Sequence, residues 1–194
     1  MTDWLLALVP TYGPWLLFGA TFLSCMALPI PASILMLAAG GFVAAGDLAL
    51  ATTAGAALAG AVAGDQAGYA AGRFGVAGIL RGAEGKSALL ARATQMLAQK
   101  GGLAVYVTRW LISALGPYVN LAGGAARMPW ARFTLWSVLG EGTWVALYVG
   151  LGRSFAGNLE AASAQAVSIL GFLAAGAVAV GLGYVLLRAM RGGH

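Results

Sequence analysis

Charge is what this sequence has least of. Only 9% of its 194 residues are Asp, Glu, Lys or Arg, where a water-soluble domain carries about a quarter. With 60% hydrophobic residues and a mean hydropathy of +0.84, the chain has too little polar surface to cover itself in water. The composition is that of an integral membrane protein and excludes most cytosolic enzymes. Histidine is represented by His194 alone and cysteine by Cys25 alone. That removes His/Cys metal spacings, Ser/His/Asp or Cys/His nucleophile sets and any intramolecular disulfide. There is no Walker loop either. No catalytic residue, metal or cofactor is expected, so the chain reads as a non-enzyme, and Cys25, in an apolar run, reads as a small hydrophobe. The start, Met1-Thr2-Asp3-Trp4, lacks the basic region of a secretory leader, so no cleaved segment is expected.

The charge that is present is mostly positive, with a formal net charge of +5 and a pI near 9.8. In an apolar chain, Lys and Arg mark cytoplasmic loops and touch anionic headgroups. The expected partners are therefore membrane lipids, anionic or phosphate-bearing, and not nucleic acid. One membrane domain is the default over residues 1–194, with room for a homo-oligomer.

Two apolar runs have lengths that fit neither one crossing nor two. A helix needs about 20 residues to cross the hydrocarbon core. Pro14 to Gly46 is uncharged for 33 residues and carries Pro29-Ile30-Pro31 in its middle; Gly101 to Ala126 has 26 residues with Gly116-Pro117 near its centre. Prolines so placed remove donors and clash with the preceding turn, so each helix should break there. Charge chooses between a kinked span and a re-entrant hairpin for the second run. As a hairpin it leaves nine Lys and Arg on one side and Arg153 alone on the other, with Arg109 inside; as a span it gives six against four, against the positive-inside rule. For the first run, length, the paired prolines and the parallel with the second argue the same way. The expected fold is an all-α polytopic membrane protein. It has a hairpin at 14–46, a transmembrane helix at 48–72, a cytoplasmic basic loop at 73–100, a second hairpin at 101–126, and transmembrane helices at 133–152 and 164–187. The hairpins, tipped by Pro29, Pro31, Gly116 and Pro117, open to opposite sides. Broken helices meeting near the midplane are the logic of inverted-repeat transporters, and Arg188 and Arg191 put the C-terminus in the cytoplasm. Within the basic loop, Lys86 to Gln99 is a moderately amphipathic helix with Leu89, Ala93 and Met96 on one stripe, flanked by Leu90 and Leu97, a connector at the interface.

Few residues could carry chemistry. Gly60, Gly64, Gly68 and Gly72 form a smooth stripe for close helix packing. Asp65 stands beside it, and an ionisable group at that depth needs a partner or a watery cavity unless it reaches the headgroups. Gly140-Glu141 echoes Gly64-Asp65 in the second unit, far from either helix end, which makes Glu141 a candidate proton carrier. Arg109, in YVTRWLISALGPYVN, either snorkels to the surface or captures an anion. In the second case the free N–H groups after Pro31, at Ala32-Ser33, and after Pro117, at Tyr118 to Asn120, would help to hold a phosphate. Ser33 and Asn120 alternatively cap those half-helices. The candidate site is thus Arg109, Ser33, Asn120 and Tyr118 for substrate, with Asp65 and Glu141 for proton coupling or gating.

Four blocks in order, FLSCMALPIPAS, GDQAGYAAGRFG, VTRWLISALGPYVNLAGGAARMPWARF and GEGTWVALYVGLG, resemble the DedA family of VTT-domain membrane proteins over about Phe22 to Gly152. The resemblance implies two opposed re-entrant hairpins and movement of lipids such as undecaprenyl phosphate or phospholipids across the bacterial cytoplasmic membrane, often linked to the proton-motive force. Asp65, Tyr69, Gly72, Arg73, Arg109, Gly123, Met128 and Trp144 fit the family's pattern. The family usually has acids around its Pro-x-Pro tip, where this chain has Ser24 and Ser33, and a second arginine in the inward hairpin, where this chain has Leu115. Glu141 replaces a commonly small residue, and would supply the missing acid from the opposite repeat. The expected function is a phosphate-lipid translocase of the inner membrane; the alternative is a non-transporting protein that supports envelope homeostasis or membrane-protein assembly.

Overall fold

The computed structural model describes residues 2–75 and 86–155, with side chains from Tyr12 onward and, after the gap, from Ala88. These residues form helices α1 (Thr2–Cys25), α2 (Ala32–Ala45), α3 (Leu50–Arg73), α4 (Lys86–Lys100), α5 (Gly102–Trp110), α6 (Gly116–Ala125) and α7 (Trp130–Ser154), with one 3₁₀ turn at Ser113–Leu115. Each break has a local cause. Gly13 turns α1 with φ 38, and Pro14, which has no N–H, starts a new run just where the first apolar segment begins. The chain leaves α1 through Ala27 at φ 66 and crosses Pro29-Ile30-Pro31 in non-helical conformation before α2 starts. Gly116 and Pro117 open α6 after the 3₁₀ turn, where a proline in the first turn loses no hydrogen bond.

Both apolar runs are therefore helical pairs broken where the prolines stand. The arms are short: residues 14–25 span about 18 Å and the nine residues of α5 about 14 Å at 1.5 Å per residue, against roughly 30 Å of hydrocarbon core. α3 and α7 coincide in position with the expected crossings at 48–72 and 133–152. None of the described helices, however, is long and apolar enough to cross a membrane. α3 and α7 have the length, but Asp65, Gln66, Glu141 and many Gly and Thr residues dilute their apolar content. The expected helix at 164–187 and the loop at 76–85 lie outside the described residues.

The glycines reveal how the units interlock. α1 packs on α3 and α5 on α7, while the second arms are exchanged, α2 lying on α7 and α6 on α3. At seven positions an added Cβ would run into a facing backbone carbonyl; one is Gly64 against Phe22, and the other six fall in matching pairs: Gly60 against Phe18 and Gly140 against Tyr106; Gly72 against Leu121 and Gly152 against Leu37; Gly124 against Tyr69 and Gly40 against Val149. These pairs superpose the two units at constant offsets of 80 residues for α3 and α7 (Gly60 with Gly140, Gly72 with Gly152), 84 for α2 and α6 (Leu37 with Leu121), and 88 for α1 and α5 (Phe18 with Tyr106). Buried positions follow the same register, Leu17 with Val105 and Leu35 with Val119. The sequence alone pairs Gly64-Asp65 with Gly140-Glu141. The packing corrects this by one helical turn, since the contacts match Gly140 to Gly60; the counterpart of Glu141 is then Ala61, and that of Asp65 is Val145.

α4 closes the second unit by burying Leu90, Ala93 and Leu97 against α6 and α5. Leu89 and Met96 are half-exposed, so the buried stripe is centred one residue away from the expected one, rotated toward protein instead of toward headgroups. Outward, α7 presents Leu135, Val138 and Leu139, and α1 presents Trp15 at 82% exposure.

Backbone contact at these glycines makes a clear prediction. Gly72→Ala and Gly152→Ala force whole helices apart, an overpacking cost of about 1–3 kcal/mol each, and should lower the thermal midpoint of the detergent-solubilised protein. Gly55→Ala, where a Cβ meets nothing within 4 Å, should leave the midpoint unchanged or raise it, because alanine is the better helix former.

Candidate functional site

Five helices bring their few polar side chains to one buried point. Arg109 is only 5% exposed, and Asp65, Asn120, Ser137 and Glu141 are at most 1% exposed. The guanidinium lies 3.1 Å from Asp65, Nη1 to Oδ1, and donates from Nη2 to Asn120 Oδ1 at 2.6 Å. Asn120 Nδ2 in turn donates to Asp65 Oδ1 at 2.9 Å, and the Ser137 hydroxyl donates to Asp65 Oδ2. Arg109, Asn120 and Asp65 so form a closed triangle. Glu141 stands apart from it: its Oε1 is 3.6 Å from Arg109 Nε without a hydrogen bond and accepts a weak one from the Cys25 thiol at 3.8 Å. Its Oε2 and the Arg109 Nε–H are left without partners.

Glycines make the room. Gly140 lets the aliphatic stem of Arg109 lie against α7, Gly68 admits Asn120, and Gly64 admits Cys25. The expected stripe on α3 is thus a close-packing surface shared by two neighbours: α1 at Gly60 and Gly64, α6 at Gly68 and Gly72. The Arg109 guanidinium carbon also sits 5.8 Å from the centre of the fully buried Phe133 ring, a stacking that arginine tolerates better than lysine.

The residues that carry these atoms line a cavity of ≈ 40 Å³ that both proline-broken regions reach, through Ser24 and Cys25 from the first and Ser113, Gly116 and Pro117 from the second, with Arg109, Glu141 and Trp144 at its wall. That is room for about three waters and far below the few hundred Å³ of a small-molecule site. A lipid phosphate enters only if the arms part. Cys25, Asp65 and Glu141 bring donor atoms within 4.8 Å of one another. A cation there would share the space with the Arg109 guanidinium and take oxygens that Asp65 already commits to three donors, so the trio is the wall of an ion-pair cluster and not a metal centre.

The expected site residues divide. Arg109, Asn120, Asp65 and Glu141 come together, and Arg109 does not reach the surface. Asn120 does not cap α6, nor does Ser33 cap α2. Ser33 accepts a hydrogen bond from Trp144 Nε1 at 3.2 Å, and so touches only the cavity wall. Tyr118 lies outside the cluster and packs on the apolar core of α4, α5 and α6. Ser137 was not among the expected residues, although it sits four residues before Glu141 on the same helix face, and Cys25 is a wall of the charged site as well as a small hydrophobe.

The internal repeat gives the site a dry twin. By the offsets above, Arg109 corresponds to Thr21, Asn120 to Met36, Ser137 to Ala57, and the two acids to Ala61 and Val145. The Thr21 hydroxyl is satisfied locally, donating to the carbonyls of Leu17 and Ala57 at 2.9 Å. The repeat thus has two related positions, each built from both units: one holds an ion-pair cluster and the other a largely apolar set.

Comparison with known proteins gives the chain a family. The VTT domain family model matches residues 30–154, most of the chain and all of the described second unit. The chain belongs to the DedA family of VTT-domain membrane proteins. It is also 32% identical over 144 residues to an uncharacterized membrane protein of Synechocystis sp., a match covering 72% of this chain and 66% of that relative, so it spans just under two thirds of the relative's length. No solved structure matches. As a DedA-family protein the chain is a membrane protein, and its charged cluster lies within the family domain.

Removing one partner of a buried ion pair strands the others, at about 3–5 kcal/mol. Arg109→Met should therefore be strongly destabilising, and Asp65→Asn in the same chain should restore a large part of the loss, which a double-mutant cycle on detergent-solubilised unfolding will read.

Proposed function

We propose that this protein translocates a phosphate-bearing lipid, an undecaprenyl-phosphate-like prenyl phosphate or a phospholipid, across the bacterial cytoplasmic membrane, and that it is a transporter and not an enzyme. In this reading the two broken helical pairs are re-entrant hairpins of opposite orientation, α3 and α7 cross the bilayer, and the C-terminus is cytoplasmic. The short arms, the exchange of second arms between repeats and the exposed apolar face of α7 support that topology, as does the sorting of nine of eleven Lys and Arg to one side.

The observation that carries the reading is a buried arginine held by two unequal carboxylates at a cavity between the two proline-broken regions. A phosphate offers Arg109 the same bidentate geometry as a carboxylate with more charge. When it displaces Asp65, that carboxylate keeps its bonds from Ser137 and Asn120 and is not stranded. Glu141, which lines the cavity and has one oxygen without a partner, is the group to take up or release a proton as the guanidinium changes partner. Asp65 is then the gate and Glu141 the proton site. Ser33 and Tyr118 take no direct part while the arms are closed; Ser33 meets the headgroup only when the hairpins part.

Proteoliposomes carrying a fluorescent phospholipid or a labelled prenyl phosphate test this. Wild type should move at least one of them. Arg109→Lys keeps the charge but loses the fork and should slow movement about tenfold or more, the worth of one charge-assisted hydrogen bond. Glu141→Gln should flatten the dependence on pH between about 6 and 8. Movement of neither lipid by wild type would favour the non-transporting role in envelope homeostasis or membrane-protein assembly.

A further inference from the structure

A concavity larger than the one beside Arg109 lies away from the charged cluster. It measures ≈ 230 Å³ and is walled by Leu97 and Ala98 of α4, Ala126 and Met128 after α6, and Arg132 of α7, with Gly101 at its floor. Its chemistry is amphipathic. The walls are apolar, and the one polar neutral lining side chain, Thr94, already donates its hydroxyl to the Leu90 carbonyl at 2.8 Å. Arg132 is the charged lining group. Its Nη2 lies 3.3 Å from where a Cβ of Gly101 would stand, and Gly101 also has φ 54, so a glycine there both turns the chain into α5 and seats the guanidinium. Among the described residues both ion pairs belong to Arg109, and Arg132 has no acidic partner. Lys100 and Arg127, both exposed, adjoin lining residues in sequence.

We infer that this groove is a lipid-binding site distinct from the buried cluster, taking the headgroup of one anionic lipid on Arg132 and the start of its chain along Leu97, Ala98, Ala126 and Met128. The charge is complementary and the volume is sufficient, whereas the ≈ 40 Å³ cavity beside Arg109 admits no headgroup in this conformation. The inference takes its ligand class from the proposed function and its location from the groove itself. An aromatic wall separates the two places. Phe133 meets the Arg109 guanidinium, neighbours Gly123, and shares one apolar core with Leu97 of the groove. Tyr69 packs on Phe133 at 4.7 Å between ring centres and donates its hydroxyl to the Met128 carbonyl at 2.6 Å, fixing the wall to the rim of the groove. A lipid held here waits one aromatic layer from the guanidinium.

Photocrosslinking in nanodiscs tests the site without requiring transport. The full chain is embedded in neutral phosphatidylcholine doped with phosphatidic acid that carries a diazirine near the start of its acyl chain, and the labelled peptides are mapped by mass spectrometry. Labels should fall on the segments holding Leu97 and Ala98 and holding Ala126 and Met128. Arg132→Gln should reduce them about tenfold, as loss of one charge-assisted hydrogen bond implies, and Ala98→Trp, which fills the groove, should do the same. Arg92→Gln, on the exposed side of α4, should leave them intact. Equal labelling by a diazirine phosphatidylcholine, or labelling undiminished in Arg132→Gln and Ala98→Trp, would overturn the site. Arg109→Lys separates the two ideas: it should slow transport about tenfold or more and leave groove labelling unchanged. Labelling without transport in wild type would therefore uphold the groove and reject the translocase, and transport without labelling would do the reverse.

Discussion

A guanidinium that cannot reach water organises this molecule. Burying one ion costs several kcal/mol unless it is paired, and Arg109 is paired through both terminal nitrogens only because four other helices deliver Asp65, Asn120, Ser137, Glu141 and Cys25 to the same place. None of these side chains could reach it if the helices were held apart by ordinary residues. The glycines at 64, 68 and 140 are as much a part of the ion pair as the carboxylates are. Electrostatics and close packing are here a single constraint, in that the charge demands proximity and the missing Cβ atoms allow it.

The partners of that arginine are not equivalent. Asp65 is locked by three donors, and a group so held resists change. Glu141 is close enough to feel the charge yet has an oxygen without a partner and lines a small cavity. A site with one fixed and one adjustable anion can exchange a ligand without ever leaving the cation alone, which distinguishes it from a purely structural salt bridge, where every lone pair is spoken for.

Much of this was legible in the sequence because it rests on rare residues. Paired prolines and a Gly-Pro step mark helix breaks by local sterics, and charges at membrane depth are so costly that Asp65, Arg109 and Glu141 stand out in an apolar chain. What depended on long-range packing was not legible. The repeat register slipped by one turn, since two Gly-acid dipeptides look alike while only Gly140 and Gly60 meet matching carbonyls. Tyr118 and Ser33 were placed by their nearness to a proline, but the rotation of a short arm about its own axis is set by the helix it leans on, and that rotation carried both away from Arg109. The buried face of α4 was missed by one residue for the same reason: Leu89 and Leu90 are equally apolar, and only contact with α6 selects between them. Ser137 carried a signal, its spacing from Glu141, though serine is too common in apolar helices to be singled out alone.

The dry twin at Thr21, Met36, Ala57, Ala61 and Val145 bears on motion. Two units of one shape invite a rocking exchange in which each opens in turn, yet they differ as surfaces for water. Parting the arms over the ion-pair cluster lets solvent hydrate charges that had been held in a low-dielectric interior, whereas parting them over methionine, valine and alanine only wets hydrocarbon. The two open forms therefore cannot be isoenergetic. In the proposed translocase, a symmetric scaffold with asymmetric solvation would act as a weighted lever, resting more readily on one side than on the other before any gradient or ligand acts on it.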